Sequence, residues 1–390
     1  MTLDLGAGAN SLPTRSGLKT RSIGLFEPEL GGKLSDVHLA YETWGSLNAS
    51  KTNAVLVVHA LTGDSHAAGK RDESCPRGGW WDRVIGPGRA IDTDEYFVIC
   101  SNVLGGCSGS TGPASTDPAT GKPYATRFPT VTIRDMVRAQ KRLLGELGIE
   151  RLALVIGGSI GGQQALEWAV EFPGFAGKVA VIAATSYLGP QGLGMSELGR
   201  RAITADPDWQ NGDYYGTDRA PENGLSIARM AGMMTYQSAA GQWERFGRTP
   251  ATRGQHIENP GGTFDVECYL QYQGSDLARR FDANSYLYLL RAMDLYDAGR
   301  GYGSLEEAYS RVAAEMLFVG IPSDWLFPAD EVKATARCMR EAGVSVHYTE
   351  IDTNSGHDAF LKDWDELRAA IGPFVKTKDR GTGEAERRTR

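Results

Sequence analysis

Apolar residues fall along this chain in two rhythms. Five runs, Asn53–His59, Tyr96–Cys100, Leu152–Ile156, Val179–Ala183 and Met316–Gly320, are short, continuous and rich in β-branched side chains. Such runs read as strands buried on both faces, the habit of a parallel sheet. Val37–Trp44 alternates instead, like a strand with one wet face, and Val344–Tyr348 reads as a further strand. Ile133–Leu144 and Ala329–Ala342 repeat their apolar positions with helical spacing, and a last helix is expected over Asp358–Phe374. Strands alternating with helices predict an α/β fold, with a mostly parallel central sheet flanked by helices and right-handed crossovers.

From about Tyr187 the rhythm changes. Apolar runs shorten, Gly, Pro, Tyr and Met become common, and helical stretches such as Gly224–Met230 and Ala283–Arg291 follow one another without buried strands between them. A chain of 390 residues is longer than one core usually supports. These features predict a core assembled from residues 1–186 and 311–375, with a helical lid inserted at 187–310. The opening to about Arg15 reads as a loose arm, and 376–390, charged and without apolar periodicity, as a disordered tail.

Composition narrows the possible roles. Hydrophobic residues make up 41% and charged residues 23%, and no run approaches the roughly 20 apolar residues of a membrane span. The opening segment lacks the basic and apolar regions of a secretory signal, so a cytoplasmic location is expected. Cys75, Cys100, Cys107, Cys268 and Cys338 are odd in number and widely spaced, which fits neither a disulfide framework nor a zinc site. A net charge of −7 without a dense basic block argues against nucleic acid as a partner. No H-E-x-x-H or phosphate-loop pattern occurs, so neither a metal site nor a cofactor is expected.

The candidate chemistry lies at Leu154–Trp168, where an apolar strand runs into Gly157-Gly158-Ser159-Ile160-Gly161-Gly162 and leaves as a helix. A serine between glycines at a sharp strand-to-helix turn has its Oγ projected to the surface, and makes Ser159 the candidate nucleophile. A serine hydroxyl needs a base, and that base an orienting carboxylate. In proteins with such an elbow these follow the serine on loops after late strands, acid first and histidine second. Ser323-Asp324-Trp325-Leu326-Phe327-Pro328 follows the strand at 316–320 and offers Asp324, with Asp330 and Asp352 as rivals by position. The segment after the next strand offers His357 as base. Stabilising an oxyanion takes the N–H after the serine, Ile160, and a second from the loop His59–Asp64, placed at Leu61.

With these residues placed, residues 20 to 375 resemble the homoserine O-acyltransferase family of the α/β-hydrolase superfamily. The segments that carry the resemblance are Ala40–Gly45, His59–Asp64, Gly79–Asp82, Ser101–Cys107, Gly109–Pro113, Phe281–Leu287 and Ser323–Pro328. The resemblance favours Asp324 as the acid and Leu61 as the second donor. It implies a ping-pong transfer of an acetyl group from acetyl-CoA through Ser159 to the γ-hydroxyl of L-homoserine in methionine biosynthesis, with succinyl-CoA the alternative donor and serine an alternative acceptor. It further implies that Arg200 and Asp358 hold the acceptor's carboxylate and ammonium, and that the protein is a homodimer. The chain departs from the family's pattern at Ile160 and Gln163, where Met is common, and at Gly194-Met195-Ser196-Glu197 before Arg200, which bears on the acyl and acceptor pockets. A serine ester hydrolase would use the same triad and admit water, and a catalytically dead binding module is the reading from another class.

Overall fold

The computed structural model describes residues 17–377 except 73–74, 252–256 and 258–260. The expected tail at 376–390 and the arm before Arg15 therefore lie almost wholly outside the described residues. Eight strands form one sheet: β1 (Lys19–Ser22), β2 (His38–Trp44), β3 (Ala54–Val58), then, after two small ribbons, β8 (Phe97–Ser101), β9 (Leu152–Gly158), β10 (Ala176–Ile182), β11 (Glu315–Gly320) and β12 (Val346–Glu350). The ribbons pair β4 (Lys70–Asp72) with β5 (Cys75–Gly78) and β6 (Ile85–Gly86) with β7 (Ile91–Asp92). The spatial order is β1-β2-β8-β3-β9-β10-β11-β12. Within this sheet only the two pairings made by β2 are antiparallel; the rest are parallel. The wet face expected of β2 is not found: Leu39 to Glu42 are all buried, and Glu42 is taken by His66 (2.8 Å).

The continuous runs are buried on both faces for a visible reason. Along β3, Leu56 and Val58 enter one apolar layer while Val55 and Val57 enter the other. The first layer is covered by α1 (Ile133–Glu146) and α2 (Ile160–Glu171). Helix α1 begins at a capping box in which Thr132 accepts the Asp135 N–H and Asp135 accepts the Thr132 N–H. Between β10 and β11 the chain forms α3 (Pro190–Thr204), α4 (Glu222–Tyr236), α5 (Ala239–Phe246), α6 (Asp265–Arg280), α7 (Ala283–Asp294) and α8 (Leu305–Ser310). Helix α9 (Ala329–Glu341) then joins the first layer, while α10 (Ala359–Lys362) and α11 (Trp364–Lys376) cover the second with Phe360, Leu367, Ile371 and Phe374. No helix among the described residues is long and apolar enough to cross a membrane.

Two differences from the sequence reading have local causes. The final helix is broken at Asp363, whose φ of −95° and ψ of 67° interrupt it while its carboxylate accepts the Ser355 hydroxyl (3.0 Å). An aspartate that bonds outside the helix favours a cap over a helix interior. The edge strand β1 is polar and exposed, without the apolar signal that marked the others.

Helix α2 is held from both sides. Its sheet face carries glycines because no side chain fits: a Cβ on Gly161 would lie 2.4 Å from the Val58 carbonyl, and one on Gly162 2.7 Å from the Ala184 Cβ. Towards α1 it presents polar side chains, each with a partner. Gln164 accepts from Gln140 (2.8 Å), which accepts from the Trp168 indole (2.8 Å), and Glu167 accepts from Arg134 Nε (2.5 Å). We expect Gly161→Ala to destabilise the fold by about 1–3 kcal/mol, the usual cost of overpacking. Urea unfolding reads this directly, and a variant as stable as the parent would show that α2 and β3 separate freely.

Candidate active site

Because β3, β9, β10, β11 and β12 run parallel, their following loops gather at one edge of the sheet. Register makes the neighbours explicit: Val58 at the end of β3 faces Gly157 of β9, and Ile182 of β10 faces both Gly158 and Val319 of β11. The carboxyl edge of such a sheet is where ligands are received. Ser159, Asp324, His357 and Leu61 all lie there, on four different loops.

Ser159 sits between β9 and α2 with φ 61° and ψ −130°, a conformation costing an L-residue about 1–3 kcal/mol. What holds it is the close approach on either side. Its N–H donates to the Ile182 carbonyl (3.0 Å), and its carbonyl accepts from Gln163 N–H (3.0 Å). A Cβ on Gly157 would stand 2.6 Å from the Gly161 backbone, and one on Gly158 2.6 Å from the Phe360 ring. Ile160 opens α2, so its N–H is among the first-turn donors that find no partner within the helix.

Asp324 and His357 are brought together. His357 Nδ1 lies 2.6 Å from Asp324 Oδ2, and both residues are buried. The other oxygen, Oδ1, accepts the Leu326 and Phe327 N–H groups (2.8 and 3.0 Å), which fixes the carboxylate plane. The rivals Asp330 and Asp352 are exposed. The imidazole is packed among Phe327, stacked at 5.5 Å, Phe360, edge-on at 5.6 Å, and Tyr236 at 5.8 Å. Its Nε2 is buried and has no hydrogen-bond partner. Burial opposes the imidazolium, but the charge and hydrogen bond of Asp324, aided by Asp358, outweigh it and raise the pKa. An imidazole so held, with Nε2 open, is equipped to take a proton and return it.

Leu61 lies on the loop after β3, shaped by His59. That histidine donates from Nδ1 to the Ala60 carbonyl (2.8 Å), while its Nε2 accepts the Val103 N–H (3.1 Å) and faces the Asn102 amide (3.2 Å). Accepting at Nε2 fixes the neutral tautomer, and burial lowers the pKa, so His59 stays uncharged. His59 thus ties the loop bearing Leu61 to the loop after β8.

The two residues expected at the acceptor differ in placement. Asp358 follows His357 directly and pairs with Lys362 (2.7 Å). Arg200, in α3, is instead engaged by Asp294 of α7 and by Glu197 (3.0 Å). Sequence reasoning missed Arg229 of α4. Its buried Nε has no partner, and its guanidinium lies over the Tyr236 ring at 5.5 Å. Tyr236 in turn packs on His357, and its hydroxyl, raised in pKa by burial, also feels Arg229, which lowers it, and Asp358, which raises it. Neither α4's apolar spacing nor local sequence marked this arginine; only the packing of α4 on the His357 turn brings it in.

The elbow, the sheet order and the loop positions define an α/β hydrolase, and the alpha/beta hydrolase fold family matches residues 53–363. The homoserine O-acetyltransferase of Symbiobacterium thermophilum is 52% identical over 349 residues, 89% of this chain and 91% of that protein. Among solved structures, the homoserine O-acetyltransferase from Bacillus anthracis superposes with a TM-score of 0.87 at 29% identity, covering 94% of this chain and 99% of that one. Esterase E22 superposes with a TM-score of 0.85 at 31% identity, covering 92% and 99%. The chain belongs to the homoserine O-acetyltransferase family of the α/β-hydrolase fold.

The raised pKa of His357 has a testable sign. The imidazole works as a base only when neutral, so the acid limb of the pH profile of kcat/KM is expected above 6.5, the ordinary histidine value. Asp324→Asn removes the main upward influence and leaves burial opposed only by Asp358. The limb then moves to lower pH, and kcat falls by about 10⁴. A limb that stays in place would detach Asp324 from the working histidine.

Proposed function

We propose that this chain transfers an acetyl group from acetyl-CoA to the γ-hydroxyl of L-homoserine by way of an acetyl ester on Ser159, as a step of methionine biosynthesis. The observation that carries the reading is the 52% identity, over nine-tenths of both chains, to a protein named homoserine O-acetyltransferase. The Asp324–His357 pair beside the elbow supports the route.

In the first half, Ser159 Oγ gives its proton to His357 Nε2 and adds to the thioester carbonyl. The N–H groups of Ile160 and Leu61 receive the oxyanion. The C–S bond then breaks, and the thiolate takes the proton from His357 and leaves as CoA. In the second half, the homoserine hydroxyl gives its proton to Nε2 and attacks the acetyl ester, and Ser159 Oγ leaves and is reprotonated. We assign the acceptor's carboxylate to Arg229, whose buried Nε lacks a partner, rather than to Arg200, which Asp294 and Glu197 already engage. Asp358 receives the ammonium. Succinyl-CoA remains the alternative donor. Work in the cytoplasm as a homodimer belongs to the same reading; Leu198, Ile227, Met234, Trp243 and Tyr272 of the helical region are exposed.

A second reading, ester hydrolysis, has one observation in its favour: esterase E22 shares this fold over nearly the whole chain. CoA release from acetyl-CoA or succinyl-CoA, with homoserine, serine or water as acceptor, separates the two. Release that depends on homoserine supports transfer, whereas equal release with water alone assigns a hydrolase. Ser159→Ala is expected to abolish release with every acceptor. Arg229→Ala is expected to raise the KM for homoserine at least tenfold, roughly the loss of one charged hydrogen bond, and to leave that for acetyl-CoA almost unchanged. An unmoved homoserine KM would remove Arg229 from the acceptor site.

A further inference from the structure

Side chains from the helices between β10 and β11 cross to the main chain of loops that carry the proposed catalytic groups: Gln191 of α3 donates to the Trp325 carbonyl beside Asp324 (2.7 Å), and two others reach the histidine and oxyanion loops. Ser238, buried at the start of α5, caps that helix by accepting the Gly241 N–H (2.9 Å). It also donates its own proton to the Asn354 carbonyl (2.5 Å), three residues before His357. The fit there is tight. A Cβ on Gly356 would lie 2.6 Å from Ser238 N and 2.8 Å from the Tyr236 carbonyl, and one on Gly241 2.3 Å from the Asn354 carbonyl. At the other side of the site Arg280, in the last turn of α6, donates from Nη1 to the Thr62 carbonyl (3.1 Å), next to Leu61. Its side chain is 48% exposed and also leans on Asp276 (3.5 Å).

The same scaffold serves a protein named an esterase, so the fold does not choose between an amino-acid hydroxyl and water. The choice falls to whatever orders the site's walls. We propose that Ser238 and Arg280 are positioning residues that tether the helical region to the histidine loop and to the oxyanion loop, and so direct the acyl-enzyme to its acceptor rather than to water. The inference rests on the acetyl-Ser159 reading above.

The competing step is explicit. Water gives a proton to His357 Nε2 and adds to the acetyl carbonyl, the bond to Ser159 Oγ breaks, Oγ takes the proton back, and acetate leaves. Nothing in this step needs a group that transfer does not already use. It needs only space and an angle of approach, which a loosened loop supplies while it misplaces the oxyanion donors.

The test uses the full chain with acetyl-CoA, measuring CoA released and O-acetylhomoserine formed in the same samples. Ser238→Ala and Arg280→Met are each expected to raise the ratio of hydrolysis to transfer about tenfold and to lower kcat for transfer severalfold, as small displacements of catalytic groups do. The KM for homoserine stays within roughly a factor of two, because neither residue binds the acceptor. Ser238→Thr and Arg280→Lys keep a donor and recover most of the loss. Variants that partition the acetyl group as the parent does overturn the proposal. So does an effect confined to the homoserine KM, which would make Arg280 an acceptor ligand. If Ser238→Ala melts below the assay temperature, the half-exposed Arg280 carries the test alone. Failure of the underlying reading is separately visible: the unmodified protein would then release CoA equally with and without homoserine.

Discussion

The constraint on which this structure turns is the contact between the start of α2 and the ends of β3, β9 and β10. Ser159 is held at φ 61° because the helix must begin within one residue of the strand's end, and the strand's neighbours leave no room to relax. The Val58 carbonyl lies where a Gly161 Cβ would be, and the Ile182 carbonyl takes the Ser159 N–H. Strain of about 1–3 kcal/mol persists only where surroundings over-determine it. Here the two apolar layers and the buried polar partners of α1 do so. Glu167, pushed up to about 7 by burial against the pull of Arg134, is part of that clamp. The core and the geometry of the proposed nucleophile are therefore one property of the sheet edge, and packing changes far from Ser159 reach it through α2.

The base is held by a different balance. Removing His357 from water disfavours its charged form, and a carboxylate at 2.6 Å restores it. The carboxylate can do so because two backbone N–H groups and the His357 ring satisfy it, so it stays oriented without water. Three aromatic rings then confine the imidazole to a plane. Each device acts on one atom: the amides on Oδ1, the imidazole on Oδ2, the rings on tilt. What remains open is Nε2, the atom that the chemistry requires.

Much of this was legible in the chain. The parallel strands show as continuous β-branched runs because both their faces are buried, and the elbow shows as glycines because backbone meets backbone there. Chain order points to His357, since loops after parallel strands must share an edge, but it leaves Asp324 beside Asp330 and Asp352; it is Asp324 that the fold pairs with His357. Local sequence says less where a contact is made across the fold. Arg229 and Arg200 stand in helices of similar pattern, and only tertiary packing tells that Asp294 occupies one and the Tyr236 ring leads the other towards His357. The break at Asp363 was hidden because its partner Ser355 lies on the preceding loop. The edge strand β1 carries no apolar pattern because its side chains face solvent.

A fold shared by a protein named an esterase and one named a homoserine O-acetyltransferase cannot itself set the acceptor. On the proposed reading the difference lies in groups that touch the second substrate or exclude water, and the residues given those roles come from the helices between β10 and β11. Arg229 and Tyr236 belong to α4, Arg280 to α6, and Ser238 to the turn between α4 and α5. These helices meet the sheet edge through side chains bonded to backbone, at Thr62 and at Asn354. Backbone acceptors are indifferent to the identity of the residues that bear them. The sheet-edge loops can therefore keep their catalytic residues while the helices above them change. On the proposed reading, acceptor choice is a property of these helices, set above a catalytic edge that need not change.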